Sequence, residues 1–251
     1  MTVSAFDFSW APSYDHSKPP TPAPGQPTWT QYFSDANPSA AYTDVTMCVA
    51  SPTGGSVWGA SFDDGPSPST PGVLDFFRAL PGGNRATFWL IGANVVALPQ
   101  TALSTFQDGH VVGLHTWSHP NLTSLTDDQV VAELVYSART VYEVTGKLPK
   151  YFRPPYMAID ARVRALAATM GLQAVVWNHD TNDWARHGTM NQTALIANVT
   201  KQFQTWIAHG DTNGISLEHD LYPDTAAAIP SAMNTLIAAQ MKIVTLSECV
   251  G

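Results

Sequence analysis

The chain has 251 residues, 44% of them hydrophobic, enough for one sizeable core. Only 13% are charged, and 12 Lys and Arg stand against 20 Asp and Glu for a net charge of −8. With no basic run to neutralise a series of phosphates, nucleic acid and anionic membrane are poor partners, and 17 Gly and 19 Pro mark a folded chain with elaborate loops rather than a disordered one.

Residues 1–20 lack a basic stretch followed by an apolar one and do not read as a secretory leader. Pro19, Pro20, Pro22 and Pro24 punctuate residues 12–27, where apolar residues are few, so this stretch reads as extended or polyproline II chain. Residues 1–45 are taken as an extension wrapping a domain that runs over 46–251. Within it, 56–62 and 85–91 read as strands flanking a helix over 70–80, and 111–114 is the third strand. Thr126 and Gln129 form a capping box that opens a helix ended by Gly146. A strand over 150–153 follows. Asp160 then caps a helix whose Val163, Leu166, Ala167 and Met170 share a face, and 172–177 is a strand. Two further units pair a helix over 192–209 with a strand over 215–217, and a helix over 231–240 with a strand over 242–246. No apolar stretch reaches the roughly 18 to 20 residues of a membrane span; Gly, Asn and Pro interrupt even 86–98. Strand and helix alternate about seven times, which predicts an α/β fold with a parallel sheet. It favours a closed or nearly closed (β/α) barrel over an open doubly wound sheet, and no GxGxxG follows the first strand.

The chemistry-bearing residues recur at one kind of position. Asp63 and Asp64 follow the first strand, His115 and His119 the third, and Arg153, then Asp180 and Asp183, then His219 the later ones. In parallel α/β folds these C-terminal strand ends converge on one face. His115-Thr-Trp-Ser-His119 sets two imidazoles four residues apart, one above the other on a helical turn, which suits two ligands of one metal. Taken alone the pair also reads as polar loop residues capping a helix. Neighbouring carboxylates in an extended chain point in different directions, so one of Asp63 and Asp64 can bind the metal while the other faces its water. Taken alone they read as an Asp-rich turn with Gly65 supplying positive φ. Two histidines and one carboxylate leave coordination positions open, as catalytic zinc sites do. A serine hydrolase's G-x-S-x-G elbow is absent, and adjacent carboxylates poorly fit a glycosidase, whose pair flanks a bond.

Cys48 and Cys249 lie near the two ends of the patterned region, and Asn121, Asn191 and Asn198 head N-x-Thr sequons; Pro38 disqualifies Asn37. These point to an oxidising compartment, a glycoprotein that is secreted to the extracellular space or cell wall, and a Cys48–Cys249 disulfide. Buried free thiols are the alternative.

Ser61-Phe-Asp-Asp-Gly65, His115-Thr-Trp-Ser-His119, Arg153-Pro-Pro-Tyr156, Asp180-Thr-Asn-Asp-Trp184 and Ile215-Ser-Leu-Glu-His219 resemble, in order, the five motifs of the polysaccharide deacetylase family, carbohydrate esterase 4 or the NodB homology group. The resemblance covers about 56–246, and 109–125 is especially similar to fungal chitin deacetylases. Ser61 stands where the family usually has Thr, and Glu218 replaces a more usual apolar residue, so the substrate edge is expected to differ. The resemblance implies a distorted, possibly incomplete (β/α) barrel. It implies one divalent metal, zinc with cobalt able to substitute, on Asp64, His115 and His119. Asp63 would be the general base, oriented by Arg153, and His219 the general acid, tuned by Asp180. Leu217 would line the acetyl pocket, the Tyr156 backbone N–H would hold the oxyanion, and Trp184 would wall the sugar site; Trp117 and Trp177 read as core. The implied activity is N-deacetylation of chitin or chitin oligosaccharides by a monomer, releasing acetate. The alternatives are a same-fold enzyme acting on peptidoglycan or O-acetyl xylan, and a non-catalytic chitin-binding protein.

Overall fold

Helices form where the sequence supplies both a cap and a periodic apolar face. The computed structural model describes residues 6–14, 22–25, 27–31, 42–49 and 55–251, so part of the proline-rich stretch, Pro19 and Pro20 included, lies outside the described residues. Helix α1 (Pro27–Thr30) precedes strands β1 (Val57–Trp58) and β2 (Ser61–Asp63). Helix α2 (Thr70–Ala79) has Pro71 in its first turn and buries Val73, Leu74 and Phe77. Strand β3 (Thr87–Leu90) is buried at every residue, the apolar stretch continues into α3 (Gly92–Ala97), and the more polar α4 (Pro99–Gln107) follows. Strand β4 (Val111–Leu114) leads to α5 (Asp127–Thr145), which carries the Thr126/Gln129 capping box and ends at Gly146 with φ 70°.

Next come β5 (Tyr151–Phe152), α6 (Ala161–Thr169) capped by Asp160, β6 (Gln173–Ala174), β7 (His179–Asp180) and the short α7 (Asp183–Arg186). Helix α8 (Gln192–Ala208) is capped by Asn191 and buries Leu195, Val199 and Phe203. Strand β8 (Ser216–His219), α9 (Pro223–Ala226), α10 (Ile229–Ala238), β9 (Lys242–Ile243) and α11 (Leu246–Val250) complete the chain. Seven strands run β6-β5-β4-β3-β2-β8-β7, and β1 pairs with β9 apart from them. The registers of β2 with β3 and β8, β5 with β4 and β6, and β7 with β8 are all parallel. No helix among the described residues is long and apolar enough to cross a membrane.

Two expected strands divide. Residues 56–62 break where the Ala60 N–H folds back to the Trp58 carbonyl at 3.1 Å. Gly59 sits at that kink, where a Cβ would lie 3.1 Å from Cys48 Sγ and 3.3 Å from Cys249 Sγ. The expected strand over 172–177 is laddered as β6 at Gln173–Ala174, with the Val175 N–H still bonded to the Phe152 carbonyl, and it leaves the sheet where the Val176 N–H turns to the Val45 carbonyl; the chain re-enters the sheet as β7. The last expected strand stops at Ile243 because a Thr245/Glu248 capping box starts α11.

The chain divides into two compact units, each built from separate stretches. The first comprises Met1–Asp44, Leu90–Leu103 and Gly113–Val175. In this unit α1, α3 and α6 pack on α5. Trp10 stacks on Tyr136 at 6.1 Å, Trp29 meets the same ring edge-on at 4.9 Å, and Arg139 lies 4.0 Å over Trp10. The second unit comprises Val45–Trp89, Ser104–Val112 and Val176–Gly251. Phe62, Phe77 and Phe88 pack there around one another and His110, while Trp58, Phe203 and Trp206 form a second aromatic group. The Cys48–Cys249 disulfide closes this unit.

Candidate active and metal-binding site

In the second unit, β2 and β8 lie in register with Asp63 opposite His219, so both residues end their strands together. Ser61 helps fix that register, its hydroxyl donating to the Ser216 carbonyl at 2.6 Å. Asp63 is buried, and Asp64 leaves the strand with φ 75°. The turn after it is tied to the end of β8: the Ser67 hydroxyl donates to the Asp220 carbonyl and the Thr70 hydroxyl to its carboxylate. A Cβ on Gly65 would lie 2.8 Å from Asp220 Oδ1, so a side chain there would have to displace that buried carboxylate. Burial, reinforced by the charge of Asp64 and offset by the Thr70 bond, pushes the Asp220 carboxyl up to about 7.

His219 is gripped by Asp183, not by Asp180. Its Nδ1–H donates to Asp183 Oδ1 at 2.7 Å and its backbone N–H to Oδ2 at 2.8 Å, while its Nε2 lies 3.9 Å from Asp64 Oδ2. Burial alone would lower the imidazole pKa, but the Asp183 hydrogen bond and the charges of Asp183, Asp64 and Asp63 raise it to about 10. Asp180 instead accepts the Asn182 N–H at 2.6 Å, bracing the turn that delivers Asp183, and burial raises its pKa. The two carboxylates are three residues apart in one motif, and the sequence carries no signal for which one the turn aims at His219.

Leu217 is buried two residues before His219 on the same face of β8, and Trp184 is 56% exposed. Glu218 faces the other way and is buried, accepting the Ser216 hydroxyl at 2.9 Å, and burial holds its carboxyl well above the usual range. It is therefore core and does not form a substrate edge.

In the first unit, His115 follows β4 and is buried, and its Nδ1–H donates to the Arg153 carbonyl at 2.8 Å. That bond fixes the tautomer that presents Nε2 as a ligand. Residues 115–119 do not make the expected helical turn, because Thr116 and His119 adopt φ of 65° and 60°. Glu133 of α5 holds this bend through the Trp117 and Ser118 N–H groups, and burial raises its carboxyl pKa against those hydrogen bonds. The His115 and His119 rings still lie 4.8 Å apart, and His119 Nδ1 is 3.0 Å from the Tyr156 hydroxyl. Arg153 is fully buried, its N–H bonded to the Leu114 carbonyl; Tyr156 has φ 59° and a largely exposed side chain. Trp117 is core, as its sequence context indicates. Among the described residues, Asp64, His115 and His119 offer ligand atoms within 4.8 Å of one another. Imidazole nitrogen and carboxylate oxygen are donors that zinc accepts, so the set fits the implied metal.

Residues 50–175 match the Polysaccharide deacetylase family model. Chitin deacetylase 1 of Cryptococcus neoformans is 39% identical over 72% of this chain and 39% of its own length. Chitin deacetylase 1 of Saccharomyces cerevisiae is 38% identical over 83% and 63%. The chain thus spans well under two thirds of the first of these relatives and just under two thirds of the second. Among solved structures, the chitin deacetylase of Colletotrichum lindemuthianum matches with a TM-score of 0.74 and 26% identity, over 83% of this chain and 92% of that one. The peptidoglycan deacetylase PdaC of Bacillus subtilis matches with a TM-score of 0.65 and 28% identity over 78% and 90%. The parallel sheet and its helices share their open, distorted (β/α) barrel fold.

Proposed function

The chain belongs to the polysaccharide deacetylase family, and we propose that it is a metal-dependent hydrolase that removes N-acetyl groups from chitin or chitin oligosaccharides, releasing acetate. The observation that carries this reading is the meeting of Asp64, His115 and His119 within 4.8 Å, on a chain similar to chitin deacetylases. A divalent cation on those residues, zinc by preference with cobalt substituting, supplies a Lewis acid that polarises the acetyl carbonyl and makes a water acidic near neutral pH.

The chain's own residues do the rest. Asp63 takes the proton of the attacking water, with Arg153 orienting its carboxylate. The Tyr156 backbone N–H donates to the carbonyl oxygen as it gains negative charge. His219 gives a proton from Nε2 to the departing nitrogen, so that the C–N bond breaks and a free amine and acetate separate. Asp183 on Nδ1 holds the ring in that orientation, the role that the family resemblance implies for Asp180. Leu217 lines the acetyl pocket and Trp184 the sugar site. Two exposed aromatic surfaces support a chain-like substrate: Trp184, and Tyr222, which is 42% exposed and stacks on His187 at 3.7 Å. An extracellular or cell-wall location is part of the proposal, supported by the disulfide. Asn121 and Asn191 are exposed helix caps that suit glycosylation, whereas Asn198 lies inside α8 with Oδ1 buried.

The same chemistry on peptidoglycan is a second reading, favoured by the likeness to PdaC. Measuring kcat/KM on N-acetylated chitotetraose, N-acetylglucosamine, acetylxylan and peptidoglycan at one pH and metal concentration separates the two. The proposal requires the tetraose to be best and the monosaccharide much poorer, because remote sugar contacts hold the acetamide in place. A preference for peptidoglycan or acetylxylan, or equal rates on monomer and tetramer, would overturn the chitin assignment.

A further inference from the structure

We propose that Glu133 is a positioning residue for the metal-binding loop and that the proline-rich N-terminal segment completes its grip; the proposal builds on the metal reading above. Glu133 lies in α5 with no exposed surface. Its Oε2 accepts the N–H groups of Trp117 and Ser118 at 2.7 and 2.8 Å, and its Oε1 accepts the Ser118 hydroxyl at 2.7 Å and the Ala23 N–H at 2.6 Å. A carboxylate offers about four lone-pair sites, and these donors match them. Three of the four lie between His115 and His119.

The loop needs such support. Thr116 and His119 occupy the left-handed region, which is costly for residues other than glycine and persists only where the surroundings dictate it. From one side Gly92 and Ala93 N–H groups bond the Thr116 and Trp117 carbonyls, and the Thr116 hydroxyl accepts the His119 N–H at 2.9 Å. From the other side Glu133 takes the Trp117 and Ser118 N–H groups. A buried carboxylate is expensive unless fully hydrogen-bonded, so an apolar residue would pack α5 better; what Glu133 adds is the backbone geometry of 116–119.

The N-terminal segment supplies the fourth donor through its own composition. Pro22 and Pro24 have no N–H, which makes Ala23 the donor of that tripeptide, and its N–H is committed to Glu133. Ala23 is buried, and a Cβ on Gly25 would lie 3.1 Å from Asp128 Cβ, so the segment runs tight against α5. The prolines restrict this strap to a conformation that delivers one N–H.

The test is the zinc dissociation constant of the full-length protein, by chelator competition, with the visible absorption of the cobalt-loaded protein as a report on ligand geometry. Glu133→Ala should bind zinc 10- to 100-fold more weakly, the range for losing an outer-shell partner, and change the cobalt spectrum while keeping the disulfide and a cooperative melt. Glu133→Gln keeps an oxygen for Trp117 and Ser118 but sets its NH2 against the Ala23 N–H; Ala23→Pro removes that N–H. Both should show one smaller loss. Wild-type affinity in Glu133→Ala, or a loss in Glu133→Gln as large as in Glu133→Ala, overturns the positioning role; wild-type affinity in both strap variants overturns the strap's part. Should Glu133→Ala fail to fold, Glu133→Asp, withdrawn by one methylene, is held to the same tenfold criterion. A wild-type protein that binds no zinc would instead sink the metal reading itself.

Discussion

Asp63 and Asp64 are adjacent, yet the backbone gives them different lives: Asp63 ends a buried strand, and Asp64 turns out of it at φ 75°. Asp63→Asn is therefore expected to lose about 10²- to 10⁴-fold in kcat with zinc content near that of the wild type, and Asp64→Asn to lose the zinc. Metal analysis beside kinetics checks this, and the reverse pattern would exchange their roles. His219 acts as an acid only while protonated, and Asp183 helps to raise its pKa. Removing that charge in Asp183→Asn should move the alkaline limb of the kcat/KM profile to lower pH by ~1 unit or more; an unmoved limb would detach Asp183 from the chemistry. Another histidine titrates in the opposite sense. His110 is buried against Phe77 and Phe88, accepts the Ala86 N–H, and faces Arg85, Arg78 and Asp108; burial and Arg85 lower its pKa to about 4. Because the folded pKa lies below the unfolded value, its stabilising share is complete above pH ~6.5 and fades as pH falls toward 4, by about 3 kcal/mol. The stability gap between wild type and His110→Gln, from urea unfolding, should shrink over that window; a constant gap would contradict the assignment.

Strands of two to four residues make few ladder bonds, so burial of Phe62, Phe88 and Phe152, roughly 2 kcal/mol each, contributes more than their net hydrogen bonding of about 1 kcal/mol apiece. The long helices were legible in the sequence through capping boxes and apolar periodicity, and the strand ends through the chemical residues that follow them. The close packing of Gly59 was hidden because the sulfurs it lies against come from residues 48 and 249, far away in sequence. The left-handed bend at 116–119 was equally hidden, since two imidazoles four residues apart look helical until a glutamate on another helix fixes the N–H groups between them. The choice of Asp183 over Asp180 is a matter of where one turn points. Helix α3 escaped because a continuous apolar run carries no periodic signal.

The disulfide joins residues 201 apart, and closing so long a loop stabilises by about 5 kcal/mol in the chain-entropy model. A Cys48→Ser/Cys249→Ser variant should unfold at clearly lower urea concentration with the same secondary structure, and an unchanged midpoint would show that the second unit is held without it. Asp64, His115 and His119, which follow β2 and β4, carry the proposed function more than any other group. The most direct test is acetate release from N-acetylated chitotetraose by protein stripped with a strong chelator and then reconstituted with zinc. Stripped protein should release no acetate, and about one equivalent of zinc should restore the rate; full activity in demonstrably metal-free protein, or no acetate from any acetylated glycan after zinc is restored, would contradict the proposed chemistry.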